Sequence, residues 1–450
     1  MKLHVPHTWV LLFSLILLAA LATWFIPAGE YRYVDAGGRS LVDPTSFHSV
    51  PPQPAGVIDA LLAFPRGLTE TAAIVFYIFI IGGAFGVIDE SGAISGGIDA
   101  VVKGSGGRGE YVLPLLMVLF AIAGGTIGMA EETLPFLPGL VILSRRLGYD
   151  RITGGAIALV GAGAGFAGAF LNPFTVGVAQ GIAGLPLFSG ISYRLLAWVS
   201  MTTIGIAYVS HYARRIRVTP SEAAEEGPGR DSGGLTSRHV LVLAVVIMAL
   251  GAVVVGAMRW SWGIPELSAL FLAVAIAAGL AGGLGADGTA QAFVNGAAAI
   301  AGGALVVGLA RGVLVVFEHA HVIDTILNRL SMAVAGLPGW ASAAGVYGVQ
   351  VLLNFLVPSG SGQAALSIPI LAPLGDLMGV TRQTSVLAFQ LGDGITNVFT
   401  PTQGYFMAGL AVIGVSWVDW ARFIWRLILL WLAAGLVLVL IAHAMRLGPF

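Results

Sequence analysis

Cysteine is absent from this 450-residue sequence, and charged residues are scarce. Without cysteine the chain has no disulfide, no thiol nucleophile and no cysteine-ligated metal. Charged residues make up only 10% of the chain, against about 25% in a soluble globular domain, so they cannot cover a water-facing surface. The 22 basic and 23 acidic residues leave no positive field for phosphate, which excludes nucleic-acid binding as the main activity.

Apolar residues and glycine are in excess. Hydrophobic residues account for 57% of the chain, the mean hydropathy is +0.90, and the 63 glycines are about twice the ordinary share. Small residues let helices pack closely inside a membrane, so the composition predicts an all-α polytopic membrane protein. Apolar runs that suit the roughly 20-residue helix needed to cross a bilayer are 8–26, 68–88, 192–213, 238–258, 266–284, 290–317 and 418–443.

The distribution of lysine and arginine favours a cytoplasmic N-terminus. With that orientation, thirteen basic residues flank the cytoplasmic ends of the apolar runs and eight flank the opposite ends, as the positive-inside rule requires. The first run has an alternative as a signal peptide, because Ala20-Leu21-Ala22 resembles a cleavage site. The run continues through Trp24, Phe25 and Ile26, so we expect it to stay as the first transmembrane helix of an inner-membrane protein.

Residues 111–147 are too long for one helix and carry a polar break at Gly128–Thr133. Both flanks are basic, with Lys103 before the segment and Arg145 at its end. A segment that starts and ends on the cytoplasmic side must enter the membrane and return, so we predict a re-entrant helical hairpin with its tip at Gly128–Thr133. The alternative, two complete spans, needs longer helices than the apolar stretches on either side of the tip supply.

The polar segment 218–237 predicts a flexible cytoplasmic linker between residues 1–217 and 238–450, and these two halves resemble each other. The matches, all at one constant offset along the chain, are Pro138 with Pro369, Leu140 with Leu371, Leu143 with Leu374, Gly148 with Gly379, Arg151 with Arg382, Thr153 with Thr384, Gly161 with Gly392 and Gly163 with Gly394. An ordered set of this kind indicates an internal repeat.

The second half carries one additional span, 238–258, before its repeat begins. One more crossing reverses everything after it, so the second hairpin, 341–378 with its tip at Pro358–Gln363, enters from outside. Each repeat also contains an apolar segment broken by an N-x-F-T string, 151–184 in the first and 381–414 in the second. Two inverted repeats, each with a re-entrant hairpin and a broken transmembrane helix, are typical of secondary transporters.

The breaks supply the first set of candidate binding residues. Non-helical backbone at membrane depth is tolerated only where it lines a cavity or is buried in protein, and half-helix N-termini suit a carboxylate. The side chains that we expect to bind substrate or ion at the breaks and the second tip are Asn172, Thr175, Asn397, Thr400, Thr402, Ser359, Ser361 and Gln363. The alternative is that they only cap broken helices.

Acidic residues at membrane depth form a second set, because a carboxylate at the bilayer centre costs a few kcal/mol. Glu131, Glu132 and Thr133 lie at the first tip. We expect Thr133 and one of the two carboxylates to bind substrate or a coupling ion. Glu132 is preferred because the repeat aligns it with Gln363. The alternative role for these carboxylates is to cap the helix that starts at Thr133.

Two further charged positions interrupt apolar sequence. Asp393 aligns with Ala162, so the repeated scaffold does not require a carboxylate there, and we expect it to bind a proton, a cation or an amine. Arg311 is a possible ligand for a substrate carboxylate, although a structural pair with a helix end is the preferred interpretation. Glu318, His319, His321 and Asp324 are more typical of an interfacial amphipathic helix than of a metal site, and we predict no metal.

The strings that carry these residues resemble a known family. GMAEET at Gly128–Thr133, NPFT at Asn172–Thr175, NFLVPSGSGQAALSIPILAPL at Asn354–Leu374 and LAFQLGDGITNVFTPTQG at Leu387–Gly404 are similar to the YfcC-like branch of the DcuC family of C4-dicarboxylate and basic amino-acid carriers, within the ion-transporter superfamily. The resemblance covers almost the whole chain. It implies scaffold helices and a mobile transport domain with both hairpins, moving as an elevator, and by analogy a homodimer.

Together these features predict a secondary active transporter, a symporter or antiporter of a small carboxylate-bearing metabolite such as an amino acid or a C4-dicarboxylate. We expect no cofactor. The expected coupling ion is H⁺ or Na⁺, and the expected partners are the substrate and the lipid bilayer. One alternative is an ion-only cation/proton antiporter. Another is a membrane-embedded enzyme acting on a lipid head group, although the sequence has no HExxH, G-x-S-x-G or Walker string.

Overall fold

The chain is predominantly helical in its computed structural model, which describes residues 8–35, 40–93, 96, 109–217, 236–260 and 262–448. The helices of the first half are α1 (Thr8–Ala22), α2 (Val57–Glu70), α3 (Ala72–Glu90), α4 (Gly109–Ile127), α5 (Leu137–Arg146), α6 (Arg151–Ala167), α7 (Val178–Ile182) and α8 (Ile191–Ile216). A 3₁₀ helix, Glu131–Phe136, precedes α5, and a π-helical turn, Pro173–Gly177, precedes α7. Most of the predicted linker, 218–235, and the flanking Lys103 lie outside the described residues.

The second half is also predominantly helical in its described residues. Its helices are α9 (Ser237–Trp260), α10 (Ile264–Gly282), α11 (Gly285–Ala299), α12 (Ala301–His319), α13 (Ile323–Val334), α14 (Gly339–Leu356), α15 (Gly360–Leu377), α16 (Arg382–Thr396), α17 (Gly404–Val412) and α18 (Trp417–Ala444). The sequence predicts one amphipathic helix for Glu318, His319, His321 and Asp324, but Glu318 and His319 end α12 and only Asp324 lies in α13. Helix α13 buries Leu327 and exposes Met332.

Among the described residues, three single helices are long and apolar enough to cross a bilayer, namely α3, α10 and α18. Their outward faces carry exposed apolar side chains such as Phe76, Leu280 and Leu429, a surface that lipid covers and water would not. The run 290–317, predicted as one span, is instead two helices, α11 and α12, bent by 41°. The bend is at Ile300, within a stretch of alanine and glycine that contains no polar residue to signal a break.

Four short strands between α1 and α2 depart from the all-α prediction. Strand β1 (Gly29–Glu30) pairs with β4 (His48–Ser49), and β2 (Tyr33–Asp35) pairs with β3 (Ser40–Val42), both antiparallel. The Tyr31 amide donates to Asp324 Oδ2 at 2.9 Å, which ties this loop to α13.

One group of helices is built around the crossing of α6 and α16. Helices α4 and α5 pack on α6, and α14 and α15 pack on α16 in the same manner. Glycines allow these approaches: a Cβ on Gly165 would lie 2.0 Å from Ala121 O, and a Cβ on Gly392 would lie 2.9 Å from Val351 N. In each half, therefore, the two helices on either side of the tip pack against one further helix, α6 in the first half and α16 in the second.

A second group of helices, called the outer group below, packs against the first. In this group, α1 and α2 pack on α12. Helices α10 and α11 pack on α3 in turn. The contacts are again backbone to backbone, since a Cβ on Gly67 would lie 2.2 Å from Gly308 O and one on Gly296 would lie 2.3 Å from Gly82 O. Helix α12 also contacts α17, so the two groups meet at the centre of the molecule.

Candidate functional site

Both predicted tips and both predicted breaks reach one central cavity of about 560 Å³. The outer group of helices closes it from the other side through α2, α12 and the α9–α10 connection. Polar residues on its wall are Glu70, Thr71, Glu131, Glu132, Thr175, Arg311, Ser359, Ser361, Asn397, Thr402 and Gln403. Elements from both halves of the sequence thus form a single binding-sized pocket.

Eight of the thirteen residues proposed from the sequence line this cavity, and five do not. The lining residues among them are Glu131, Glu132, Thr175, Ser359, Ser361, Asn397, Thr402 and Arg311. The residues buried behind the wall are Thr133, Asn172, Gln363, Asp393 and Thr400.

The first tip is a sharp turn held by its own side chains. Gly128 has φ +68°, a conformation that suits glycine, and a Cβ there would lie 2.6 Å from Asn172 Oδ1. The Ala130 amide donates to Glu132 Oε2 at 3.0 Å, and the Thr133 hydroxyl donates to Ala130 O at 2.6 Å. Thr133 and Glu132 therefore shape the turn, and Glu132 also faces the cavity beside Glu131.

The first break combines a cap with a cavity residue. Asn172 Oδ1 accepts from the Phe174 amide at 2.9 Å, so this side chain caps the π-helical turn. Its Nδ2 atom has no hydrogen-bond partner among the described residues, and the same holds for the Thr175 hydroxyl, which is 1% exposed. Thr175 contributes to the cavity wall, whereas Asn172 lies beneath it against Gly128.

The second tip opens into the cavity at the N-terminus of α15. Ser359 is the N-cap residue, with its hydroxyl accepting from the Gly362 amide at 3.4 Å, and Ser359 and Ser361 are exposed on the wall. Gln363 does not face the cavity as its alignment with Glu132 suggested. Its Nε2 donates to Gln350 O and Oε1 at 2.9 and 2.8 Å, because a buried amide inside the hairpin must find a partner there.

The second break is a hydrogen-bonded cluster centred on Asn397. Its Oδ1 accepts from Asn354 Nδ2 at 2.8 Å and from Gln403 Nε2 at 3.0 Å. The Thr402 hydroxyl donates to Phe355 O at 3.0 Å, while the buried Thr400 hydroxyl has no partner among the described residues. The cluster fixes the non-helical backbone between α16 and α17 and leaves Asn397 on the cavity wall.

Asp393 lies one layer behind that wall. The carboxyl group is fully buried. Asn397 Nδ2 approaches Asp393 Oδ2 at 3.4 Å, and Asp393 Oδ1 has no hydrogen-bond partner among the described residues. Asp393 thus contacts a cavity residue without lining the cavity itself.

Arg311 pairs with two carboxylates, and one of them belongs to Glu70, the last residue of α2. Its Nε lies 2.6 Å from Glu70 Oε2, and its Nη2 lies 3.2 Å from Glu318 Oε1. Glu70 and Arg311 line the cavity together. The guanidinium is therefore already neutralised by two carboxylates from α2 and α12.

Several residues of the cavity wall are not among those predicted from the sequence. Glu70 ends α2 at the break before α3, where a lone acidic residue next to an apolar run carries no distinctive signal. Trp262 has the pattern of an interfacial tryptophan, and Tyr405 that of an ordinary buried aromatic residue. Gln403 falls within the PTQG string, directly after the predicted Thr402, and proximity to the second break is the signal that would have found it.

His321 and His319 pair with different acidic residues. His321 Nδ1 lies 2.5 Å from Glu30 Oε1, and His319 Nε2 lies 3.6 Å from Asp59 Oδ1. Burial raises the pKa of Asp324, although the hydrogen bond from the Tyr31 amide acts in the opposite direction. Burial also raises the pKa of Tyr31 to about 12, with a contribution from the Asp324 charge. The His321–Glu30 pair therefore joins the loop after α1 to the connection between α12 and α13, and the His319–Asp59 pair joins α12 to α2.

Comparison with known proteins decides the family. The model of the DcuC family, described as C4-dicarboxylate anaerobic carrier, matches residues 5–444. The chain belongs to the DcuC family. It is 35% identical to the Escherichia coli (strain K12) protein named "Putative basic amino acid antiporter YfcC", over 93% of this chain and 92% of that protein. It is also 29% identical to an uncharacterized Haemophilus influenzae protein, over 97% and 96% of the two chains.

Two solved transporters are similar at low identity. The Alcanivorax borkumensis YdaH transporter has 16% identity and a TM-score of 0.44, with 99% of this chain and 100% of that chain covered. Neisseria gonorrhoeae MtrF, described as illuminating a class of antimetabolite efflux pumps, has 16% identity and a TM-score of 0.43, with 98% and 95% covered. Family membership and the apolar helices identify an integral membrane protein of a transporter family.

Proposed function

We propose that this DcuC-family protein is a secondary active transporter that binds a small amine-bearing carboxylate, foremost a basic amino acid, in the central cavity. The observation that carries the proposal is the convergence of both tips and both breaks on that cavity. Broken helices at membrane depth make sense where they line a substrate pathway. A lipid-modifying enzyme would have no use for two such tips.

The charges of the wall favour a cationic substrate over a dicarboxylate. Glu70, Glu131 and Glu132 face the cavity with one basic residue, Arg311, and that guanidinium is held by Glu70 and Glu318. A C4-dicarboxylate would bring two negative charges to a wall that already has an excess of them. A lysine or arginine substrate would place its amino or guanidinium groups beside Glu131 and Glu132.

The same cavity offers a place for the substrate carboxylate. The N-terminus of α15 opens into it at Ser359, Gly360 and Ser361, and a helix N-terminus attracts a carboxylate through its free amides and dipole. The hydroxyls of Ser359 and Ser361 add donors. The cavity wall thus has groups that suit each of the two ends of an amino acid.

Contacts at the centre support the inverted-repeat and elevator proposals. A Cβ on Gly163 would lie 2.4 Å from Val398 Cγ1, and one on Gly394 would lie 2.4 Å from Ala167 Cα. Residues 163 and 167 align with 394 and 398 at the offset that relates the two halves, so each half contacts the other through equivalent positions. Such reciprocity is expected of a two-fold arrangement. We propose that the group around α6 and α16 moves against the outer group, with H⁺ or Na⁺ as coupling ion, in a homodimer with a cytoplasmic N-terminus.

Counterflow in proteoliposomes tests the function. Vesicles loaded with lysine should take up labelled lysine or arginine, and vesicles loaded with succinate should not take up labelled succinate. Glu131→Gln and Glu132→Gln should each weaken lysine uptake about tenfold or more, the effect of one lost charge-assisted contact of about 1.5–3 kcal/mol, whereas Asp287→Asn, at an exposed site on α11, should not change it.

The outcomes separate the alternatives. Succinate counterflow without lysine counterflow would overturn the substrate assignment while retaining transport. Absence of counterflow with every amino acid and dicarboxylate tested, together with exchange of Na⁺ for H⁺, would overturn organic transport in favour of an ion-only antiporter.

A further inference from the structure

The carboxyl group of Asp393 is close to the cavity but separated from it by a thin wall. One cavity-lining residue contacts it, since Asn397 Nδ2 lies 3.4 Å from Asp393 Oδ2. A second, Gly360, lies beside it, because a Cβ added to this glycine would be 3.3 Å from the same oxygen. Gly360 is the first residue of α15, so the second tip itself covers this carboxyl group.

The first break completes the cover. The Cβ position of Gly360 is also 2.4 Å from Thr175 Cγ2, which means that the tip of one half is seated on the break of the other, directly over Asp393. The hydroxyl of Thr175 and Asp393 Oδ1 are both buried and both lack a hydrogen-bond partner among the described residues. An outward movement of the tip at Gly360 would uncover the Asp393 carboxyl group on the side of Oδ2, together with the neighbouring Thr175 side chain.

A carboxyl group in this position is most stable in its protonated, neutral form. An ionised carboxylate has only acceptors, and burying one without donors or a counter-charge is costly. Among the described residues, the side-chain donor that reaches the Asp393 carboxyl group is the Asn397 amide, at a long 3.4 Å. The aligned position in the other half is Ala162, so the crossing of α6 and α16 does not need a carboxyl group.

We propose that Asp393 carries the coupling proton of the transport cycle, and that the second tip at Gly360 controls its exchange with the cavity. This inference rests on the proposed transport function. With the tip seated on Thr175, Asp393 is the neutral acid. When the tip separates, the O–H bond breaks, the proton passes to water in the cavity, and the carboxylate remains until a proton returns from the other side.

Asn397 links the proton to the substrate. Its amide lies on the cavity wall and also reaches Asp393, while its Oδ1 is held by Asn354 and Gln403. Ionisation of Asp393 strengthens the attraction for Asn397 Nδ2 and adds a negative charge behind the wall. A cationic substrate then binds in place of the proton, which is the chemistry of proton antiport.

Transport driven by a pH gradient tests the inference, with lysine as the probe. With one proton exchanged per lysine, a gradient of one pH unit should support about tenfold accumulation in wild-type vesicles. Asp393→Asn should continue lysine-for-lysine counterflow at a reduced rate but show no accumulation with the gradient and no pH dependence of uptake. Asp287→Asn should behave as the wild-type protein. A pH-driven accumulation in Asp393→Asn equal to that of the wild-type protein would overturn the proposal.

A second measurement needs no variant and remains decisive if Asp393→Asn fails to fold. Dicyclohexylcarbodiimide reacts with protonated carboxyl groups in apolar surroundings, and mass spectrometry locates the adduct. The adduct should form on Asp393 at acidic pH and decrease when lysine is present. Modification of Glu131 without Asp393 would overturn the proton role. If wild-type counterflow does not respond to any pH gradient, the proton role of Asp393 is overturned but the transport function is retained. If the wild-type protein shows no counterflow at all, the transport function itself is overturned.

Discussion

The crossing of α6 and α16 positions Asp393, and substitution of Gly394 tests how tight that crossing is. A Cβ at this position would lie 2.4 Å from Ala167 Cα and 2.8 Å from Ala167 N, whereas ordinary contacts begin at 3.4 Å. Both atoms belong to the backbone, so the helices must separate. Such overpacking costs about 1–3 kcal/mol, and the better helix propensity of alanine offsets about 1 kcal/mol of it. Gly394→Ala should therefore lower the stability by up to about 2 kcal/mol.

Two other glycines give matched controls. Gly163→Ala meets Val398 Cγ1 at 2.4 Å but the other two Val398 atoms only at 3.6 and 3.7 Å, so rotation of one side chain relieves much of the clash and the loss should be smaller. Gly348→Ala, inside α14, meets nothing within 4 Å and should gain up to about 1 kcal/mol. Thermal unfolding of the detergent-purified variants should rank Gly348→Ala first and Gly394→Ala last. Equal midpoints for these two would refute the close crossing.

Three further predictions concern topology, the breaks and pH. Single cysteines near Gly104, outside the described residues, and near Gly148 should both react with a reagent applied to the cytoplasmic side; reaction from opposite sides would contradict the re-entrant hairpin. Asn172→Ala and Asn397→Ala should each abolish lysine uptake while the protein still reaches the membrane, and unchanged uptake in both would reduce them to helix caps. Because burial raises the pKa of Asp324, wild-type stability should fall as pH rises from the ordinary carboxyl pKa through the raised one, and Asp324→Asn should remove that fall in thermal unfolding curves.

The breaks were predictable because polar residues and proline at membrane depth are costly and therefore conspicuous. Asn172 and Asn397 interrupt long apolar runs, and the structure places both at breaks. The break at Ile300 has no signal in the sequence, because the surrounding alanine and glycine residues have the pattern of a continuous apolar helix. Glu70 was missed for the opposite reason: an acidic residue at the edge of a run is ordinary, and only the partner helix α12 brings it to Arg311.

Internal similarity predicts where the backbone goes more reliably than where side chains point. The offset between the halves pairs Gly163 with Gly394, and both glycines lie where α6 or α16 closely approaches the other half. The same offset aligns Glu132 with Gln363, yet one faces the cavity and the other bonds Gln350 inside the hairpin. A repeat constrains packing in both halves, whereas binding a substrate with chemically different ends requires the halves to differ. Asymmetric positions are therefore the place to look for function, and the fully buried Asp393, opposite Ala162, is the clearest of the charged ones.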